Sequence, residues 1–587
     1  MGSLLLRERL FFLFLIIFTA IIMISPLASN TLVPNDADMV NHLAAIIQAK
    51  MALVEGQFPL RVTPFLHSGW RYPFYQFYSP SANLVGGALF LLTPANPFIA
   101  FKLIILFAAI AGGIYMYRLT NELVNSSSVA LLASVTYMTS PYYLIVLDHM
   151  YDFTEGFALG LMPIVLYYTL KLFYLPTSLK FFLLTALLWY LLATIHLITF
   201  FYAFMFLAFL LMLFTLKNRS YWRNLLCVGG GFFFAIGLSA WFFIPIVLFK
   251  QYLWVEHYYG IDQAQDYYST SFTSLFSPIA NIIPFPDKAS AHVSLIFKLR
   301  PNIGIPFLFA MGMSIYIFIK QKKLYTRADA WLTPLIITAF LILLFIWSPF
   351  KISQYLPQEF LVGQYSWRLF GQFTWVATLL FAIGCSWLFP AVTLTKKNLF
   401  LGCFCIIFST GSWYLIPDID FSYADLPTLI HAPYFDVADE IYLTNPATLG
   451  KYKPLDIRKL LHVMPVEETK KFCHQDKIIT KCGVPVSSDV KWIELPIFYY
   501  PQLLSISLNG KNVPYQGMIF KKRTLLASIS SAPNTINNVE IKFVGLTYAN
   551  RISRLSWGLW IILLLYAAKR VFVWPLSGKQ EFRVCSK

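Results

Sequence analysis

Leu10-Phe11-Phe12-Leu13-Phe14-Leu15-Ile16-Ile17-Phe18-Thr19-Ala20-Ile21-Ile22-Met23-Ile24-Ser25-Pro26-Leu27-Ala28 carries no charged side chain. It is roughly as long as a helix must be to cross a bilayer. Asn35-Asp36-Ala37-Asp38-Met39-Val40-Asn41-His42 follows almost at once. Two carboxylates and a histidine therefore stand at the mouth of a membrane, where desolvation tunes acidity and charge is seldom kept for packing alone. On a helix starting near Pro34, Asp38 and His42 lie on one face, one turn apart, with Asn35 or Asp36 as the cap. An acidic cap followed by an exposed histidine would use the same residues without chemistry.

The first run is the pattern of the whole chain. Of its 587 residues, 58% are hydrophobic and 12% charged, more apolar sequence than a soluble core absorbs. The net charge of +17 does not indicate nucleic acid, because Lys and Arg punctuate the apolar runs and do not cluster on one soluble domain. About twelve spans are predicted, at 10–28, 97–117, 126–146, 156–174, 180–197, 198–216, 225–249, 302–320, 330–348, 367–389, 398–416 and 555–573. Arg7, Arg9, Arg118, Lys171, Lys180, Lys217, Arg219, Lys320 to Lys323, Lys396, Lys397, Lys569 and Arg570 then share one side. The positive-inside rule makes that side cytoplasmic, with both termini there. The first run lacks a small-residue cleavage site and reads as a retained anchor.

The long polar segments fall outside. The first loop, 29–96, contains Gly69-Trp70-Arg71-Tyr72-Pro73-Phe74-Tyr75 and, at 82–93, an apolar piece too short to span, expected in the interface or re-entrant. A second turn carries Asp148, His149, Asp152 and Glu155; a third, 250–301, carries Glu256 and His257, read as a flap or a solvated loop. A fourth, 349–366, leads into Gln364-Tyr365-Ser366-Trp367-Arg368. The chain thus divides into a transmembrane module at 1–416, an external domain at 417–552, and a last helix with a cytoplasmic tail at 553–587.

The external domain reads as β. Gln502 to Leu508 alternates, Asn509-Gly510 is a two-residue hairpin turn, and Thr524–Ser530 and Val539–Val544 continue, giving a small antiparallel sandwich or half-barrel. Cys473 and Cys482 are the two external cysteines, and their closeness predicts a disulfide. No zinc spacing or nucleotide-binding glycine pattern is present, and Gly229-Gly230-Gly231 reads as close helix packing.

Arg368 heads a span on the external side, against the positive-inside bias. With Trp367 and Gln364 beside it, it suits pairing with a lipid-borne phosphate; a snorkelling arginine is the plainer reading. Carboxylates opposite would take a proton from an acceptor hydroxyl or hold a metal that screens the phosphate. His196, where two spans meet without a loop, reads as an intramembrane histidine satisfied by its surroundings.

The anchor, Asp38 to His42, Gly69 to Tyr75, Gln364 to Arg368 and the late β-rich domain together resemble the GT-C glycosyltransferases. Within them the chain is most similar to the YfhO-like and pyruvoyl-tetrahydropterin-synthase-related bacterial membrane proteins. Ser366 stands where that family usually has Pro, and Glu440-Ile441-Tyr442-Leu443 echoes its Glu-Tyr-Leu-Pro only loosely. The resemblance implies inverting transfer of a sugar from a polyprenyl-phosphate donor to a glycan, lipid or protein acceptor outside a bacterial cytoplasmic membrane. Asp38 matches the general base, with Asp36 as helper; both are the expected ligands of any divalent metal, Mg or Mn. Arg368 matches the arginine facing the donor phosphate. His42, Arg71 and Tyr75 are expected to orient substrate, and Asp148, Asp152 and Glu155 to supply a further acidic partner or a hydrated turn. A flippase for a lipid-linked saccharide, or a non-catalytic assembly factor presenting its β-domain, are the other classes.

Overall fold

The computed structural model describes residues 2–27, 29–34, 38–93, 96–254, 302–320, 328–349, 366–389, 395–408, 443–449, 462–521 and 524–573, with short pieces at 272–276, 281–282, 299–300, 421–423, 429 and 454. Apolar runs in lipid must satisfy every backbone group internally, and here they do so as helices. Among the described residues seven helices are long and apolar enough to cross a membrane: Leu6–Leu27, Pro97–Val124, Phe153–Tyr174, Leu197–Lys217, Ala328–Trp347, Ser366–Leu388 and Thr547–Lys569. The chain is a polytopic membrane protein, mostly helical, with a β-rich region near its C-terminal end.

Twelve full spans are not seen among the described residues. The predicted 126–146 span is Ser127–Met138 followed by Pro141–Asp148, bent by 41°. Ser140 precedes a proline, which biases it out of the helical region, and its ψ is 143°. The predicted 225–249 span is Arg219–Leu238 followed by Ala240–Tyr252, bent by 80°. At that corner the Ser239 hydroxyl donates to the carbonyls of Ala235 and Ile236, competing with the regular ladder. If each bent pair is one span, the count is nine. Leu179–Ile195, with 17 residues, is at the lower limit of what a bilayer requires, and Ile305–Ile319, with 15, is below it. Helix Lys396–Ile406 covers the first part of the predicted 398–416 span, and its last eight residues, 409–416, lie outside the described residues.

Two prolines inside these helices leave a carbonyl without its usual donor, and a distant side chain supplies it. Pro163 cannot serve the Leu159 carbonyl, which accepts from the Tyr137 hydroxyl at 2.6 Å. Pro245 cannot serve Trp241, whose carbonyl accepts from Gln76 Nε2 at 3.1 Å. Tight packing fixes the first of these helices further. A Cβ on Gly112 would come within 2.8 Å of the Gly160 carbonyl oxygen, and one on Gly160 within 2.7 Å of the Ala108 backbone. Small residues thus let Pro97–Val124 and Phe153–Tyr174 approach backbone to backbone.

The first loop is not loose. Met39–Val54 forms a helix, and the short apolar piece forms another, Pro80–Leu92, laid against it. Met39–Val54 divides its faces between two cores. Leu43, Ile46 and Ile47 belong to the core of the helical bundle. Ala44, Ala45, Ala49 and Ala52 belong to a second core, with Leu60, Tyr72 and Tyr75 of the loop and Ile493, Leu495 and Ile497 of the β-domain.

That domain is two sheets face to face. In one, Lys511–Asn512, Leu504–Leu508, Thr535–Phe543, Ile479–Val486 and Cys473–Asp476 are neighbours in that order, all antiparallel. In the other the order is Gln516–Lys521, Thr524–Ser530, Trp492–Phe498 and Val463–Met464, the last pair parallel. Asn509 and Gly510 both have positive φ, 50° and 79°, as a tight hairpin turn requires. Cys473 and Cys482, opposite each other in their hairpin, are joined by a disulfide.

Candidate functional site

Four helix ends converge on one buried polar cluster. Asp38 is the N-cap of Met39–Val54, three residues later than the sequence placed the start of the turn, and its carboxylate makes no capping bond. Its backbone N–H donates to the Met150 carbonyl at 3.1 Å, tying the first loop to the turn before Phe153–Tyr174. One helical turn on, His42 Nε2 lies 3.3 Å from Asp152 Oδ1, both side chains buried.

Asp152 caps Phe153–Tyr174. Its Oδ1 accepts from the backbone N–H of Thr154 at 3.0 Å and of Glu155 at 2.9 Å, and from the Thr154 hydroxyl at 2.9 Å. The helix dipole favours an anion there as well. Glu155, in the first turn, accepts through Oε1 from the Tyr142 hydroxyl at 2.6 Å. Its Oε2 makes no hydrogen bond and faces Arg368, whose Nε is 3.9 Å away. Arg368 comes from the short turn Ser366–Leu369 that opens Phe370–Leu388, and its guanidinium sits 5.7 Å from the Trp367 ring centre. Tyr142 in turn lies 6.1 Å from the Trp367 ring and stacks on Phe370.

The two aspartates differ in acidity. Burial lifts Asp38 to about 6, against the pull of His42; the charge of Asp152 adds to the rise and that of Arg368 opposes it. Burial would also raise Asp152, but the hydrogen bond and charge of His42, with the charges of His196 and Arg368, hold it well below the carboxylate range. One carboxyl thus holds or releases a proton near neutral pH while its neighbour stays ionised, the split that separates a proton acceptor from an electrostatic anchor.

His196 is in part satisfied by its surroundings, as its sequence position predicts. It caps Leu197–Lys217, with Nδ1 2.7 Å from the Thr199 hydroxyl. Yet Asp152, Glu155 and His196 also offer ligand atoms within 4.8 Å of one another. Among the described residues this is the one group able to share a metal ion, so Asp38 is not part of it. Two carboxylates and an imidazole fit a divalent cation by donor type. Much of their capacity is already used, by the Asp152 cap, by Tyr142 and by Arg368.

Of the sequence-predicted residues, Asp38, His42, Asp152, Glu155, Trp367 and Arg368 come together here. Arg71 does not. It has a φ of +59° and pairs through Nη1 with Glu55 Oε2 at 2.6 Å, at the far end of Met39–Val54 from His42. Tyr75 is fully buried and donates to the Ala45 carbonyl at 2.6 Å, so it fastens the loop to the helix. Asp148 is buried with neither carboxylate oxygen hydrogen-bonded, and it is not among the charges acting on Asp38 or Asp152. Asp36, Gln364, Glu256 and His257 lie outside the described residues. Tyr142 was missed; as one of many tyrosines on apolar runs it carries no sequence signal of its own.

No family model matches the chain, and no curated protein is significantly similar to it.

Proposed function

We propose that the chain is a GT-C-type glycosyltransferase. It would move a sugar from a polyprenyl-phosphate carrier to a hydroxyl of an envelope glycan, lipid or protein, at the external face of a bacterial cytoplasmic membrane. The observation that carries this reading is that Asp38, from the first loop, and Arg368, from a helix late in the chain, act on the same buried carboxylate cluster.

In this mechanism Asp38 accepts the proton of the acceptor hydroxyl as its oxygen attacks the anomeric carbon. The bond from that carbon to the carrier phosphate breaks on the opposite face, inverting the centre. Arg368 takes up the charge left on the phosphate, held in place by Glu155, which Tyr142 positions. Asp152 and His42 keep the helix ends together and set the field around Asp38. Asp152, Glu155 and His196 would hold a divalent cation such as Mg²⁺ or Mn²⁺, which would supply neutralisation of the same phosphate. The orientation with both termini cytoplasmic rests on the Lys and Arg that share one side of the spans.

The test is sugar transfer by membranes containing the full chain, with radiolabelled polyprenyl-phosphate sugars and envelope extract as acceptor. Asp38→Asn is expected to lower the rate by about 10²–10⁴-fold, and Arg368→Gln by about 10²–10³-fold, with insertion unchanged. Unaltered envelope glycans in an inserted Asp38→Asn protein would sink the proposal.

One observation favours a second reading. The described residues include two bent helix pairs, and interrupted helices are a mark of transporters. A flippase for a lipid-linked saccharide would move its substrate across liposomes without forming a new glycosidic bond, which separates the two.

A further inference from the structure

A cavity of about 430 Å³ lies away from the carboxylate cluster, where the first loop, the β-domain and the last helix meet. Three separate segments send cations to its wall: Arg61 and Arg71 from the loop, Lys542 from strand Thr535–Phe543, and Arg551 and Arg554 from helix Thr547–Val573. Arg71 is balanced by Glu55. Among the described residues no carboxylate lies in ion-pair range of the other four, and no acidic side chain lines the cavity.

Arg61 is the informative one. Its guanidinium is anchored by neutral amides alone, donating to Gln76 Oε1 and, through Nη2, to Asn550 Oδ1 at 2.6 Å. It also lies over the Trp241 ring, 5.1 Å from its centre. The chain makes room for it: Gly545 has a φ of +69°, and a Cβ there would collide with the guanidinium. Burial, with the charge of Arg554 adding, lowers Arg61 to about 10. A fold that clears space for a half-buried arginine, gives it only neutral partners and faces it with a second arginine keeps a repulsion that an incoming anion relieves.

The height of the cavity narrows the anion. Helix Thr547–Val573 has 27 residues, about 40 Å of length, against a hydrocarbon core of about 30 Å, and its apolar run begins only after Arg554, which puts the excess in its first two turns. Arg551 and Arg554, three residues apart on one face of those turns, stand at headgroup depth. Guanidinium groups match phosphate oxygens in pairs, and four cations outnumber what a single carboxylate would need.

We propose that this cavity binds a phosphoryl group bearing more than one negative charge or oxygen acceptor, presented either by an anionic lipid headgroup or by a soluble phosphate ester. The site is distinct from the Arg368 cluster, and its occupancy does not depend on the chain being a transferase.

The experiment uses the full chain in two arms. In the first, native mass spectrometry follows lipid retained after ejection from nanodiscs of phosphatidylcholine and phosphatidylglycerol. In the second, thermal unfolding in an uncharged detergent is followed against inorganic pyrophosphate. Wild type is compared with Arg551→Gln/Arg554→Gln, whose side chains are exposed and which should unfold, without ligand, at or slightly above the wild-type temperature because the repulsion with Arg61 is relieved. Arg61→Gln serves as a second variant, although its ties to Gln76 and Asn550 give it a structural share. The double variant is expected to bind about tenfold or more weakly. Selective retention of phosphatidylglycerol identifies a headgroup, and a pyrophosphate shift without lipid retention identifies a soluble ester. Equal behaviour of wild type and double variant, or no binding in either arm, overturns the proposal.

Discussion

Removing the Asp152 carboxylate tests whether the cluster is held together as described. In Asp152→Ala, Oδ1 disappears, and with it two backbone N–H bonds, one hydroxyl bond and the contact with His42 at 3.3 Å. Loss of an N-cap costs about 1–2 kcal/mol. Leaving His42 without its buried partner costs about 1–3 kcal/mol. The two share one oxygen and do not simply add, so the expected loss is about 2–4 kcal/mol in total. Asp152→Asn keeps an acceptor for the cap and a partner for His42, losing mainly charge, and should cost about 1–2 kcal/mol. Scanning fluorimetry at one scan rate, in one detergent, should place the alanine variant several degrees below wild type and the asparagine variant about halfway down. An alanine variant within a degree of wild type would show that Asp152 does not organise these helix ends. Equal losses in both variants would show that charge, and not capping, dominates.

If Asp38 is the proton acceptor, the rate should climb with pH through about 6 and then level, and Asp38→Asn should erase that limb. Because its folded value lies above 3.8, the same group's contribution to stability falls as pH rises from about 4 to 6. Glu494, buried in the β-domain, is raised from 4.5 to about 7, chiefly by burial, while the Val466 N–H on Oε2 opposes the rise. Its contribution to stability likewise falls as pH rises through that window, so Glu494→Gln should stabilise by about 1–3 kcal/mol at pH 8 and by little at pH 4, read by thermal unfolding. Gly160→Val places methyl groups against the Ala108 backbone and should cost about 1–3 kcal/mol while shifting the Asp152 helix end, seen as lower thermal stability together with lower transfer.

Much of this was legible in the chain. Unbroken apolar runs became helices because lipid leaves the backbone no alternative, and Asn509-Gly510 turned its hairpin because both residues tolerate positive φ. The spacing of Asp38 and His42 put them at one helix end, as expected. What failed was what sequence spacing cannot carry. The bends at Ser140 and Ser239 are set by a proline's reach and a serine's competing bonds, and neither interrupts hydropathy. Arg71 and Tyr75 share the short motif that suggested substrate contact, yet long-range partners, Glu55 and the Ala45 carbonyl, decide their roles. His42 finding Asp152, and Glu155 finding Arg368, are likewise contacts between distant segments that no local pattern announces.

The helix that turns one flank to the bundle and the other to the sandwich has a mechanical implication. Its short alanine flank leaves little slack on the sandwich side, while His42 and Asp38 ride on its opposite end. A displacement of the sandwich would therefore reach the acidic cluster along some 24 Å of helix.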